Sequence, residues 1–221
     1  MGTLTAPASA GESLIKEATF DRSRAAITVK AGASVGACSI IAAILSGTAT
    51  SAVKASGANT GNSTLVLDAA VPIVARAQEG IYTVRFTTTT NLRLENPKGV
   101  LLGDFTIGGS TGNSVTINEQ IKAVVTQGAT PFAAGDGFDI TISAITAKCV
   151  PWNPAATDGA QDIYGIAYGA VDAPDFSDKP GVAWVADCEH NADIVVWPAG
   201  ISAANKAIGI AQLAERGIIL R

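Results

Sequence analysis

The chain has 221 residues, 48% of them hydrophobic and only 15% charged, against roughly 25% charged in an average soluble domain. That balance excludes disorder, which needs low hydrophobicity and high charge, while a formal net charge of -4 without any local cluster of Lys or Arg excludes binding along a phosphate backbone. One histidine, His190, excludes a site built on two imidazoles, and three widely spaced cysteines, Cys38, Cys149 and Cys188, suggest neither a disulfide framework nor a C-x-x-C zinc site.

Residues 1–12 hold almost nothing to bury and read as a mobile arm, with no basic n-region or apolar h-region to mark a targeting signal. The longest apolar run, Ala37 to Leu45 broken only by Ser39, falls far short of the roughly 20 residues of a membrane helix, so a soluble protein made in the cytoplasm is expected. Ile27, Val29 and Ala31 alternate with Thr28 and Lys30 as a half-buried strand does, and Ser39 to Leu45 reads as a more buried one. Residues 46–63 are polar and rich in Gly and Ser, the texture of a linker or long exposed loop.

A block of short strands follows at Thr64–Asp68, Gly80–Thr88, Leu92–Glu95, Val100–Ile107, Ser114–Ile117, Gln120–Val125 and Phe138–Ile145. Turn signals at Asn96-Pro97, Lys98-Gly99, Gly108-Gly109 and Gly135-Asp136-Gly137 separate them, which predicts a small antiparallel sandwich or barrel. All three tryptophans, Trp152, Trp184 and Trp197, fall in the last third. There Asp162–Val171 and Val182–Cys188 read as strands, Glu189 to Ala192 as a hairpin tip and Asp193–Trp197 as the return strand. One helix is predicted over Ala203–Arg216, with Ser202 as N-cap, Ala204, Ala207, Ile208 and Ala211 on one stripe and Gly217 just past its end; Ile218–Leu220 closes the chain as a strand.

Three groups of side chains carry the residue types of a metal site. Asp172, Asp175 and Asp178 are oxygen ligands, but they fit no EF-hand spacing, and Pro174 and Pro180 in the same stretch make a solvated connection the simpler reading. Asp136 and Asp139 belong to ordinary turn chemistry before a strand. Cys188, Glu189, His190 and Asp193 would diverge on a hairpin tip, where successive side chains alternate faces. Phosphate-loop, dinucleotide and zincin motifs are missing from the sequence, and no enzyme, cofactor or metal is expected.

Two stretches resemble the lambda-type head decoration proteins of tailed bacteriophages. The more specific runs from Lys148-Cys-Val-Pro-Trp-Asn-Pro-Ala-Ala-Thr-Asp-Gly159 through Tyr164-Gly-Ile-Ala167 and Val196-Trp-Pro-Ala-Gly-Ile-Ser-Ala-Ala-Asn-Lys206 to Leu213-Ala-Glu-Arg-Gly-Ile-Ile-Leu-Arg221. The other, Glu17-Ala-Thr-Phe-Asp-Arg-Ser-Arg24 followed by Ile27 to Gly32, looks like the opening of longer members. Residues 49–144 depart from the minimal decoration protein and look like an inserted module.

The resemblance implies a mainly β, α+β protein: an arm at 1–12, a decoration domain at 13–48 and 145–221 with one C-terminal helix, and an inserted antiparallel β-sandwich-like domain at 49–144. It further implies a non-enzymatic cement on the exterior of the virion capsid. The protein would bind the major capsid protein of the expanded head, as homotrimers at three-fold and quasi-three-fold positions, and hold the shell against DNA pressure. Carried onto this sequence, the arm places Thr3, Leu4 and Thr5 in the capsid contact, with Leu4 its one large apolar anchor, and an extended arm reaches about 40 Å at roughly 3.3 Å per residue. Trp197 and Pro198 are the candidate subunit-interface residues, with a core role as the alternative for Trp197. Neither nucleic acid nor membrane is an expected partner. The rival reading is a virion-surface adhesion or carbohydrate-binding module anchored on the capsid, with host-surface or glycan contact through residues 49–144.

Overall fold

A computed structural model of the chain describes residues 6–221. Its elements in order are β1 (Leu14–Glu17), α1 (Phe20–Ser23), β2 (Arg24–Val29), β3 (Ser34–Val35), β4 (Ile40–Val53), β5 (Thr64–Leu67), β6 (Gly80–Phe86), β7 (Asn91–Glu95), β8 (Leu101–Thr106), β9 (Ser114–Asn118), β10 (Lys122–Thr126), β11 (Gly137–Pro151), β12 (Ile163–Ala167), β13 (Val171–Asp172), β14 (Lys179–Trp184), β15 (Cys188–His190), α2 (Ala203–Glu215) and β16 (Ile218–Leu220). The chain forms two compact units, one running to Ile44 and resuming at Ala147–Arg221, the other Leu45–Thr146.

In the first unit β2, β14, β12, β4 and β11 are successive neighbours, and β2 also bonds in parallel to β11 at Val29 and Cys149, so the five strands close into a barrel. The unbroken apolar start of β4 follows from burial on both faces. Ile40 and Ala42 join one cluster with Trp152, Ile163 and Trp184, while Ile41 and Ala43 join another with Ile27, Val29, Cys149 and Ala183. Gly165 sits where β12 shifts register against β4, and a Cβ there would stand 2.1 Å from the carbonyl oxygen of Trp184. Only glycine fits so close an approach.

A second, three-stranded sheet has β15 at its centre, antiparallel to β1 and parallel to β16. Helix α2 starts at Ser202, whose hydroxyl accepts from the Asn205 N–H at 3.2 Å, and ends before Gly217 at φ +72°. It buries Gly209 and Leu213. The predicted stripe of Ala204, Ala207, Ile208 and Ala211 is exposed instead, because the inward side is set by the fit of Gly209 beneath two indoles.

In the second unit, β11, β6, β7 and β8 form an antiparallel run, and β5, β10 and β9 form a three-stranded antiparallel sheet. Both contribute to one core that includes Tyr82, Phe86, Leu92, Ile117, Val125 and Phe132. The period-two alternation is plain in β6, where Tyr82, Val84 and Phe86 are buried and Ile81, Thr83 and Arg85 are not.

Several expectations need correction. The α+β class with an inserted antiparallel β-sandwich gives way to a mainly β chain with a closed barrel, in which α2 is the only helix longer than four residues among the described residues. Period-two burial is clear in β6, β7 and β10, and the one long helix is confined to Ala203–Glu215. Strands β4 and β11 each continue from one unit into the other. The polar stretch from Ser46 continues β4 to Val53, since its alternating small residues suit an exposed strand. His190 lies in a central strand and is wholly buried, not on a solvated tip. The predicted return strand is a turn, with the Asn191 side chain accepting from the Asp193 N–H at 2.9 Å, and only Val196 makes a bridge, to Ser39.

Candidate functional site

Thr3, Leu4 and Thr5 lie outside the described residues. The segment that follows them is tied to the first unit. Gly11, at φ +78°, donates its N–H to the Tyr168 carbonyl at 2.9 Å, and the Cys38 thiol donates to the Ser9 carbonyl at 3.5 Å. Ser13 is fully buried and its hydroxyl lies 2.8 Å from His190 Nδ1. The start of β1 is thereby fixed beside β15.

Beyond this root, Glu17 collects the polar contacts of the sheet edge. Its carboxylate accepts from both Arg24 Nε at 2.9 Å and Arg24 Nη2 at 2.6 Å, and from Trp184 Nε1 at 3.1 Å. The Arg24 guanidinium, which also lies over the Tyr168 and Trp184 rings, holds the Glu17 carboxyl below its ordinary range. His190 stands edge-on to Trp184 at 4.7 Å, and its Nε2 is buried with no hydrogen-bond partner among the described residues. Burial lowers its pKa to about 4, against a smaller upward pull from Glu17.

Trp197 is half-buried under α2. Its ring meets Trp152 edge-on at 5.8 Å, Lys206 Nζ lies 5.5 Å from its centre, and a Cβ on Gly209 would reach it at 2.7 Å. The indole therefore packs within its own unit, while its Nε1 is buried and finds no acceptor among the described residues. Pro198 is half-buried and accepts from the Ile201 N–H at 3.3 Å, which shapes the lead-in to α2. The arm root residues Ala6, Pro7, Ala8, Ser9 and Glu12 line a cleft of 350 Å³ with Asp193, Ile194 and Val196.

The metal-type groups do not converge. Asp178 accepts from the Ala31 N–H at 2.8 Å and pairs with Lys148 at 2.9 Å, which holds its carboxyl low, while Asp172 and Asp175 are exposed. Burial alone would raise the Asp136 carboxyl, but hydrogen bonds from the Thr60 hydroxyl and the Ala133 and Thr60 N–H groups, together with Lys54, hold it far below its ordinary range. Asp139 turns away to Arg85 and the Ala55 N–H. Among the described residues no three His, Cys, Asp or Glu side chains are grouped to hold a metal ion. No helix among them is long and apolar enough to cross a membrane.

Sequence reasoning missed two side chains of this unit. His190 carried no local sign of burial, since the apolar residues that enclose it come from other segments. Phe176 was an aromatic inside an acidic connection, where composition alone does not say whether it turns in or out; it turns out.

A family model described as bacteriophage lambda head decoration protein D matches residues 3–218. No curated protein matches. Among solved structures, FlgL of Xanthomonas campestris in two crystal forms aligns at 20% and 21% identity with TM-scores of 0.32 and 0.31. The alignments cover 51% and 49% of this chain and 34% and 32% of FlgL, so the chain spans about a third of that protein's length, an overlap too slight to bear on fold or function.

Proposed function

The chain belongs to the bacteriophage lambda head decoration protein D family, which places it on the virion capsid as a decoration protein, and from that premise we propose how it acts there. It binds the major capsid protein of the expanded head as trimers at three-fold and quasi-three-fold positions and stabilises the shell against packaged DNA, without catalysis. Residues 13–48 and 145–221 supply the capsid-binding domain, with the arm at 1–12 adding Thr3, Leu4 and Thr5 to the contact, and Trp197 and Pro198 lie toward a neighbouring subunit. The observation that carries this reading is the family match across nearly the whole chain.

The physics suits the residues. A ligand that binds only the expanded lattice stabilises it by mass action, and many copies engaging adjacent subunits gain avidity from modest individual contacts. A tied root at Ser9–Ser13 limits how much chain must be ordered when the arm docks, which reduces the entropy cost of binding.

The test is co-sedimentation with expanded, undecorated capsids, using the full chain and a version lacking residues 1–12. Saturable binding in fixed ratio to the capsid subunit, weakened by the truncation, is expected. A full-length protein that stays in the supernatant at every concentration overturns the reading.

A further inference from the structure

Residues 6–12 lie ahead of β1, and none of them is buried. They carry a turn of their own, in which the Ser9 N–H donates to the Glu12 carboxylate at 2.7 Å and the Glu12 N–H donates to the Ser9 carbonyl at 3.2 Å. Apart from the Gly11–Leu14 turn bond that leads into β1, two hydrogen bonds among the described residues fasten this segment to its unit. Gly11 N–H donates to the Tyr168 carbonyl at 2.9 Å, and the Cys38 thiol, a weak donor, reaches the Ser9 carbonyl at 3.5 Å. Along Asp193, Ile194 and Val196 the segment lines the 350 Å³ cleft in place of a packed seam. Its end at Ser13 is held firmly, by the buried contact to His190 and by the Asn191 N–H donating to the Ser13 carbonyl at 2.7 Å.

A preformed turn with few ties and a firm end opens at low cost while the structure behind it stays folded. Cys38 is wholly buried, with its sulfur between the Ser9 carbonyl and the Ser13 N–H, so that opening uncovers it. Cys149 is buried within barrel strand β11, where only the parting of strands exposes it. Closed, the segment leaves residues 1–5 to be ordered when the arm makes a contact; open, it leaves residues 1–12, at a larger entropy cost. Resting on the decoration reading above, we infer that residues 6–12 are a strap latched over Cys38 that opens at Ser13 independently of the barrel, and that the capsid binds its closed form. A group attached to the Cys38 sulfur props the strap open and thereby weakens capsid binding.

The experiment follows iodoacetamide labelling of the full chain at several low urea concentrations, with each cysteine resolved by peptide mapping. Cys38 is expected to react about a hundredfold faster than Cys149 or more, at a rate that urea below the unfolding transition barely changes, while Cys149 follows global unfolding. A Cβ on Gly169 would stand 3.6 Å from the Ala10 Cβ, within disulfide range, so Ala10→Cys combined with Gly169→Cys locks the strap shut on oxidation and is expected to slow Cys38 to the rate of Cys149. On expanded, undecorated capsids, Cys38-labelled protein is expected to bind about tenfold more weakly or worse, and the locked form as tightly as the same variant reduced. Thermal melts run alongside, and the locked form decides the coupling if labelling itself lowers the melt. Equal labelling rates for Cys38 and Cys149 in wild type overturn the strap. A locked form that binds more weakly than the reduced one, or labelled protein that binds as tightly as untreated, overturns the coupling to the capsid. A wild type that does not bind overturns the decoration reading, and the labelling rates still decide the strap.

Discussion

Lowering the pH from 7 to 4.5 probes the buried Ser13–His190 contact almost in isolation, because the chain has a single histidine. That imidazole has none of its surface in water, and burial brings its pKa from 6.5 to about 4. Between those values the unfolded chain carries a proton that the folded chain refuses, so the unfolded state binds more protons and stability falls as pH falls. At ~1.36 kcal/mol per unit, the full gap comes to about 3 kcal/mol, most of it lost by pH 4.5 and the remainder as the pH falls through 4. The carboxyls of Glu17 and Asp136 are depressed in the folded state, so their contributions are present at neutral pH and lost at more acid values, mostly below this window. Tryptophan fluorescence is the right probe for the unfolding titration, since Trp152, Trp184 and Trp197 all lie in the same unit as His190 and do not report on the other. Wild type is expected to lose about 2–3 kcal/mol between pH 7 and 4.5, while His190→Gln loses much less over the same interval. The imidazole Hε1 resonance, a single line in a one-histidine protein, should titrate near pH 4 in the folded state. A resonance that titrates near 6.5, or equal pH slopes for wild type and variant, refutes the argument.

Two further substitutions follow from local geometry. Asp136→Asn removes the charge that Lys54, the Thr60 hydroxyl and the Ala133 and Thr60 N–H groups share, and is expected to cost about 2–4 kcal/mol; hydrogen exchange should quicken within 45–146, and unchanged protection there would count against it. Gly165→Ala drives a methyl against the Trp184 carbonyl oxygen and is expected to lower stability by about 3 kcal/mol or more, read by the same fluorescence titration.

Many strand positions were legible because period-two burial is written locally. Tyr82, Val84 and Phe86 alternate with Ile81, Thr83 and Arg85 in the sequence as they do in the sheet. The α2 boundaries were legible for the same reason, since Ser202 and Gly217 act on their immediate neighbours. What escaped was set by distant partners. Glu189 and His190 look polar enough for a turn until β1 and β16 enclose them from segments far away in sequence. The inward side of α2 was misjudged because alanine fits either side of a helix, and the choice fell to Gly209 beneath Trp152 and Trp197. Trp197 and Pro198 were put forward from family likeness alone, whereas the outward turn of Phe176 depends on bonds from Ala31 and Gly32 that no reading of its own loop contains.

The closure of the barrel has a consequence for how the protein emerges from the ribosome. β2 is among the first strands made, yet Arg24 pairs with Trp184 and Val29 with Lys179, about 150 residues later in the chain. At translation rates of ~5–20 residues per second, β2 waits roughly 8–30 s for its partner. The strands of Leu45–Thr146 are meanwhile complete and can assemble among themselves. The middle of the polypeptide thus has the opportunity to fold before its beginning does, and the apolar start of β4 spends that interval uncovered, when the nascent chain is most exposed to aggregation or chaperone capture.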